Sequence, residues 1–225
     1  MVDPQKITNF NRTDEELQEF LIFAVAVGGK TAGTTAKKVD AFLESIMAYP
    51  LMGGFEVTPF SAIMALSLNR LENVLLRLLK EHKLGKYDLM MRLFSYISWN
   101  YSDIKDLKKL TLEELEKFPG IGMKTSRFFI LHSRKNPPEC AALDTHVLKY
   151  LKQADIGNSL HVPQTTPSGP KRYLELERVF LLLYHAWKEQ GFKGTVADLD
   201  LTLWRYYNNK IVGGLRGFLK EEGWL

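Results

Sequence analysis

A glycine-rich turn comes directly before a lysine at residues 118–125, where the sequence reads Phe-Pro-Gly-Ile-Gly-Met-Lys-Thr. Gly120 and Gly122 have no side chains, so the backbone there can approach a phosphate closely, and the helix expected to follow directs free N–H groups at the same anion. An ordinary corner between two helices would explain the two glycines equally well. Lys124 and Arg127 add positive charge beside the turn and favour a nucleic-acid phosphate as its ligand.

A carboxylate follows the lysine by twenty residues, within the sequence Ala-Leu-Asp-Thr-His-Val at 142–147. The apolar residues before Asp144 indicate a buried approach, and a helix is expected to begin just after this residue. Aspartate is a common helix N-cap, and a lysine beside a glycine turn is often only a phosphate contact. Taken singly, Asp144 and Lys124 therefore fit structural roles better than chemical ones.

The elements that must position these residues are helical. Apolar residues recur at helical spacing along nearly the whole chain, and the alternating runs that indicate strands are almost absent, which predicts an all-α protein. The first helix is expected to begin at Thr13, which forms a capping box with Glu16, and to end at Gly28 and Gly29. Further helices are predicted over residues 34–47, 61–68, 69–81 and 86–96, from Thr111 with Glu114 in a capping box, from Met123, after Asp144, over 171–190 and, as the last helix, over 196–208. Residues 50–59 and 158–170 are predicted loops.

The bulk composition limits the class of protein. The 225 residues are 45% hydrophobic and 25% charged, which is enough apolar material for a core. A net charge of +4 and a pI near 9.0 are compatible with a polyanionic partner but do not identify one. The single cysteine, Cys140, excludes an internal disulfide and a four-cysteine metal or iron–sulfur site. The sequence shows no signal peptide and no run long enough to span a membrane. We therefore expect a cytoplasmic or nuclear protein that is not secreted and has no membrane partner.

The two segments together resemble a known family. Phe118 to Thr125, followed at this spacing by Leu143 to Val147, resembles the helix-hairpin-helix and downstream aspartate of the helix-hairpin-helix (HhH-GPD) DNA glycosylase superfamily, which includes endonuclease III and 8-oxoguanine glycosylase. A weaker similarity to that family's early helix covers residues 24–38. The resemblance implies a two-lobed helical fold with a cleft between the lobes. We expect one compact unit over 1–225, with lobes formed by about 30–135 and by 1–29 together with 136–225.

The resemblance also implies catalytic roles for Lys124 and Asp144. Breaking an N-glycosidic bond builds positive charge on the deoxyribose, so Asp144 beside C1′ would stabilise the transition state. Lys124 lies where the lyase-competent branch carries a lysine that attacks C1′ and forms a Schiff base, which permits elimination of the 3′ phosphate. The implied partner is double-stranded DNA with a damaged or modified base, bound by a monomer. The implied DNA contacts are Pro119, Gly120, Ile121, Gly122, Thr125 and Arg127.

The sequence departs from the family pattern at two places. Many endonuclease III-like enzymes have a Ser-Ala-Gln sequence whose glutamine enters the space left by the flipped base, whereas Gly28, Gly29 and Lys30 stand here. Lys30 is either a solvated lysine after a helix end or a base-pocket residue that pairs with an anionic or carbonyl-rich group. The iron–sulfur loop of many relatives is absent. We therefore expect no cofactor. A structural monovalent cation at the hairpin is compatible with the helix-hairpin-helix sequence.

Two other functions fit the same residues. On the same scaffold, relatives encoded with phage thymine-hypermodification systems are thought to act on a substituent of a modified pyrimidine, and Lys30 suits that reaction. A non-catalytic helix-hairpin-helix module would only hold DNA, in which case replacing Lys124 and Asp144 would affect affinity alone. Glycosylase and lyase activity is the leading prediction. The sequence does not name the target base.

Overall fold

A computed structural model describes residues 1–49, 57–68, 70–104, 106–154 and 161–225. These ranges contain twelve α-helices and no strand, so the all-α prediction is confirmed. The helices are α1 Asp14–Val27, α2 Ala32–Met47, α3 Pro59–Leu68, α4 Glu72–Glu81, α5 Tyr87–Trp99, α6 Tyr101–Ile104, α7 Leu112–Leu115, α8 Met123–Ser133, α9 Thr145–Gln153, α10 Pro170–Glu189, α11 Val196–Asn208 and α12 Leu215–Glu221. A 3₁₀ turn at Pro4–Lys6 precedes α1. Within the described ranges, no helix combines the length and apolar character needed to cross a bilayer.

Contacts divide the chain into two compact units, unit 1 at Met1–Thr125 and unit 2 at Ser126–Leu225. The division falls inside α8, whose first turn belongs to unit 1. Residues 1–29 belong to unit 1 because α1 packs on α2 and α3. The discontinuous lobes expected from the sequence stay a prediction.

The core of unit 1 is built around α1. Every residue from Phe20 to Ala26 is buried, as expected for a helix that is apolar around its whole circumference. The N-terminus of α1 is the predicted capping box, in which Glu16 N donates to Thr13 Oγ1 at 3.2 Å and Thr13 N donates to Glu16 Oε2 at 2.8 Å. Phe42 on α2 stacks on Phe94 of α5 with ring centroids 5.6 Å apart. These contacts fix the start of α1 and pack α2 against α5.

Unit 2 packs α10, α9 and α11 around a core that includes a buried hydrogen bond between a histidine and an aspartate. His132 Nε2 lies 3.1 Å from Asp200 Oδ2, and the histidine side chain is fully buried. Trp187 Nε1 donates to Tyr150 Oη at 2.7 Å and joins α10 to α9. Asp200 thus takes part in the core of unit 2.

The structure corrects the prediction that the helix over 196–208 is the last one. A further short helix, α12, follows it, with Phe218 and Leu219 buried. Its seven residues begin after Gly214 and include Gly217, so local propensity for a helix is low there. The short helix α6 was likewise not predicted. The predicted loop over 50–59 lies largely outside the described residues, and within the other predicted loop 161–169 is irregular chain and Pro170 begins α10.

Candidate active site

The hairpin begins with the short helix α7. Thr111 caps it as predicted, because Thr111 N donates to Glu114 Oε2 at 2.7 Å and Glu114 N donates to Thr111 Oγ1 at 3.2 Å. The turn that follows is anchored by Phe118 and Ile121, which are both buried. Phe118 packs on the ring of Tyr96 from α5, with centroids 4.8 Å apart. The turn is therefore held by the core of unit 1.

Gly120 and Gly122 are needed for different reasons. Gly120 has φ 88°, and a Cβ there would lie 3.0 Å from Val25 Cγ1 and 3.0 Å from Leu89 Cδ2. A side chain at Gly120 would thus be excluded by both the backbone and the neighbours. At Gly122 a Cβ would meet nothing within 4 Å, and the residue is exposed. Gly120 serves the fold, whereas Gly122 leaves the backbone open to a ligand.

Lys124 is the second residue of α8, two positions beyond the open glycine. It is half-buried, and its charge acts on Lys86 at the N-terminus of α5. Thr125 N donates to the carbonyl of Gly122 at 2.9 Å, which closes the first turn of the helix. Pro119, Gly122 and Thr125 thus surround the start of α8 together with Lys124, whereas the side chain of Ile121 is directed into the core.

Arg127 does not lie on the surface expected for a DNA contact. Only 6% of it is exposed, and its Nε donates to Glu177 Oε1 at 2.6 Å. Its guanidinium also stacks over the ring of Tyr173, 5.0 Å from the centroid. The residue lies on the side of α8 that faces the interior of unit 2, so its charge stabilises the core there rather than a phosphate.

The chain leading to Asp144 is fixed by side chains of α10. Tyr173 Oη accepts a hydrogen bond from Leu143 N at 3.0 Å and donates one to the carbonyl of Ala141 at 2.8 Å. Glu177 Oε1 accepts from Ala141 N at 2.8 Å, so one oxygen serves both this amide and Arg127. These bonds satisfy a buried, irregular stretch of backbone that no helix or strand would otherwise pair. The approach to Asp144 is consequently rigid.

Neither Tyr173 nor Glu177 was among the residues predicted to form the site. The available signal was their spacing, since residues four apart on a helix share a face, and a glutamate on an apolar face needs a buried partner. Thr166 adds a further bond, because its Oγ1 donates to the carbonyl of Leu143 at 2.7 Å. The position of Asp144 is thus set both by α10 and by the irregular chain just before α10.

Asp144 caps α9. Its Oδ1 accepts hydrogen bonds from His146 N and Val147 N, both at 2.8 Å. The capping role foreseen for this aspartate is therefore real, and it holds the carboxylate in one orientation at a helix N-terminus. Capping by one oxygen is compatible with chemistry at the carboxylate.

Lys30 lies just beyond the end of α1, where Gly29 has φ 75°. Its Nζ donates to the carbonyl of Leu84, in the loop before α5. Partial burial of the ammonium, and then the charge of Lys38, lower the pKa of Lys30. The side chain therefore reaches the loop before α5 while the residue stays exposed to solvent.

Metal ligation finds no support in the part of the chain that the structure describes. No group of three or more His, Cys, Asp or Glu side chains is arranged there to hold a metal ion. Cys140 is buried, and burial followed by the charge of Glu177 raises the pKa of its thiol to about 12. The cysteine is thus a neutral core residue.

No protein-family model and no curated protein matches the chain. Two solved structures do. The 8-oxoguanine DNA glycosylase of Thermotoga maritima is 20% identical, with 91% of this chain and 85% of that chain covered and a TM-score of 0.61. The 8-oxoguanine glycosylase/lyase of Methanocaldococcus jannaschii, solved with a 15mer DNA containing 8-oxoguanine, is 19% identical, with 94% and 89% covered and a TM-score of 0.61. The chain therefore shares the all-helical fold of these two solved structures, which confirms the predicted fold class.

Proposed function

We propose that the chain is a DNA glycosylase with associated AP-lyase activity, in which Lys124 and Asp144 are the catalytic residues. The observation that carries the proposal is the position of Lys124, in the first turn of α8 directly after a hairpin whose Gly122 is open to a ligand. The shared fold with two 8-oxoguanine glycosylases supports it. The proposed partner is duplex DNA containing a damaged or modified base.

The hairpin supplies affinity in this proposal. The positive end of a helix dipole and an unhindered glycine backbone suit a DNA phosphate. Gly120 lies against Val25 and Leu89, so side chains of α1 and α5 support the turn. Pro119, Gly122 and Thr125 are the proposed contacts around that phosphate.

Lys124 supplies the nucleophile. Its unprotonated Nζ bonds to C1′ while the glycosidic bond breaks, and the departing base takes the electron pair and the proton released from nitrogen. The C1′–O4′ bond then opens as O4′ is protonated, which leaves an iminium ion. Loss of a C2′ proton and departure of the 3′ phosphate cut the strand, and water finally releases the lysine. These steps require neither a metal nor a redox cofactor.

Asp144 supplies a fixed negative charge. The glycosidic bond weakens as positive charge grows on the sugar, and a preorganised carboxylate lowers the energy of that state. Its capping bonds to His146 N and Val147 N hold it without further reorganisation. The tie of Ala141 and Leu143 to α10 sets where the carboxylate stands.

The test is borohydride trapping on duplexes that carry 8-oxoguanine, uracil, 5-hydroxymethyluracil, an oxidised pyrimidine or an abasic site. We expect a covalent adduct with wild type that Lys124→Ala abolishes. Lys117→Ala is the matched control, because Lys117 is an exposed lysine just before the same turn. 8-Oxoguanine is the first base to test, since both similar structures are described as acting on it.

A second variant separates capping from catalysis. Asparagine caps helices as well as aspartate does, so Asp144→Asn keeps the fold of α9 and removes only the charge. We expect excision to fall by at least about a hundredfold, while trapping on a preformed abasic site persists through Lys124. Duplex binding with no adduct on any substrate would refute the proposal and favour a base-modifying enzyme or a simple DNA-binding module.

A further inference from the structure

A cluster of lysines lies in unit 1 beside Lys124. Lys86 is the N-cap of α5, and its Nζ donates to the carbonyl of Val25 at 3.1 Å. Lys30 approaches the loop before α5, since its Nζ donates to the carbonyl of Leu84. Lys38 joins from α2 through a 3.2 Å bond to the carbonyl of Lys83. Two ammonium groups thus bond to the short stretch of chain before α5, and the ammonium group of Lys86, which ends that stretch, bonds back to α1.

The members of this cluster repel one another. Burial, and then the charges of Lys30 and Lys124, lower the pKa of Lys86. The pKa of Lys30 is lowered by burial and by Lys38. The neighbouring charges that lower these two pKa values belong to Lys30, Lys38 and Lys124, so an anion bound among them would be favoured.

Other lysines of unit 1 have acidic partners. Lys108 Nζ lies 3.2 Å from Asp14 Oδ1, and Lys109 Nζ lies 2.6 Å from Asp106 Oδ2. In the Lys30–Lys86 cluster, the hydrogen bonds described above go to neutral main-chain carbonyls instead. A carbonyl orients an ammonium group but does not neutralise it. The positive charge of the cluster thus stays available to an anion.

Two glycines lie against these ammonium groups. A Cβ at Gly28 would lie 2.7 Å from Lys86 Nζ, and a Cβ at Gly85 would lie 3.2 Å from Lys30 Nζ. The backbone at residues 85 and 86 is also left-handed, with φ 68° at Gly85 and φ 53° at Lys86. A left-handed lysine is strained, so its position is imposed by the surrounding structure. Both lysine residues are exposed to solvent, with their ammonium groups held by main-chain carbonyls.

We infer that Lys30 and Lys86, next to Lys124, form a binding site for one phosphate group, separate from the phosphate held by the hairpin backbone. A phosphate offers several acceptor oxygens and a charge that would offset the repulsion among the lysines. The group belongs either to the DNA backbone or to a phosphate outside it, such as a free or base-linked phosphate. Binding at this site does not depend on the proposed excision chemistry.

The experiment compares wild type with the double variant Lys30→Met/Lys86→Met. Lys80→Met is the control, since Lys80 is an exposed lysine in the last turn of α4. The first measurement is the salt dependence of binding to an undamaged duplex, and the second is calorimetric titration with inorganic pyrophosphate. Circular dichroism and thermal unfolding verify that all proteins are folded.

Each result has a definite meaning. A backbone phosphate predicts that the slope of log K against log salt falls by about 0.9 in the double variant. A phosphate outside the backbone predicts an unchanged slope and pyrophosphate binding weakened by about tenfold or more. If both quantities match those of Lys80→Met, the site does not exist. Borohydride trapping by Lys124 is measured independently of these two quantities, so the two proposals fail separately.

Discussion

Replacing Tyr173 by phenylalanine tests whether α10 holds the approach to Asp144. The hydroxyl is the hydrogen-bond partner of both Leu143 N and the carbonyl of Ala141, at 3.0 and 2.8 Å. Tyr173 is fully buried, so water does not replace the lost bonds. An unsatisfied buried polar group costs about 1–3 kcal/mol, and two such groups should lower the free energy of unfolding by about 3 kcal/mol.

The assay is urea unfolding followed by circular dichroism. With an m-value of about 2 kcal/mol/M, the midpoint should fall by about 1.5 M. Hydrogen exchange at the Leu143 amide should also become faster, because its acceptor is gone. Tyr184→Phe is the control on the same helix, since its hydroxyl makes only a long 3.4 Å bond to the carbonyl of Gly194. We expect that control to lose less than about 1 kcal/mol.

Two results would refute the role given to Tyr173. If Tyr173→Phe is as stable as Tyr184→Phe, the hydroxyl bonds contribute nothing net. If exchange at Leu143 is unchanged, other contacts hold the approach segment. Either result would remove α10 as the element that positions Asp144.

Two further predictions follow from the hairpin and the core. Gly120→Ala should lower the free energy of unfolding by about 1–3 kcal/mol, since it adds positive-φ strain and a close contact with Val25 and Leu89. Gly122→Ala should stay within about 1 kcal/mol of wild type yet weaken duplex binding. Urea unfolding measures the stability of both variants, and fluorescence anisotropy measures their binding to a duplex. Equal behaviour of the two variants would contradict their assigned roles. Cys140, whose thiol pKa is raised to about 12 by burial, should not react with a disulfide reagent at pH 8 until the protein is unfolded. Rapid labelling of the native protein would contradict this prediction. Because the folded state favours the protonated thiol, the contribution of Cys140 to stability is complete below pH 9.0 and declines as pH rises towards 12.

Local signals in the sequence predicted the helices well. The capping boxes at Thr13 and Thr111 depend on residues three positions apart, so the bonds that define each helix start are encoded within one turn. The turn at Gly120 was predictable for the same reason. Short helices such as α12 have no such signal, because buried tertiary contacts at Phe218 and Leu219 outweigh weak propensity.

Contacts between distant residues were not predictable. Arg127 follows a glycine turn and was expected on the surface, but its partner Glu177 lies fifty residues away. Nothing in the local pattern of either residue specifies that pairing. Lys86 is a similar case, since its approach to Lys30 and Lys124 depends on how α1 and α5 pack. The sequence thus predicted which kinds of side chain form the site, but not which distant residues contact them.

The packing of Gly120 against Val25 and Leu89 has a consequence for the thermodynamics of DNA binding. A loop that is mobile before association must lose conformational entropy when its ligand arrives, and that loss weakens affinity. Here the turn is ordered when unit 1 folds, by side chains of α1 and α5 that need not touch DNA. Substitutions that loosen those two helices should therefore make association more entropically unfavourable, even though every group that contacts the phosphate is unchanged.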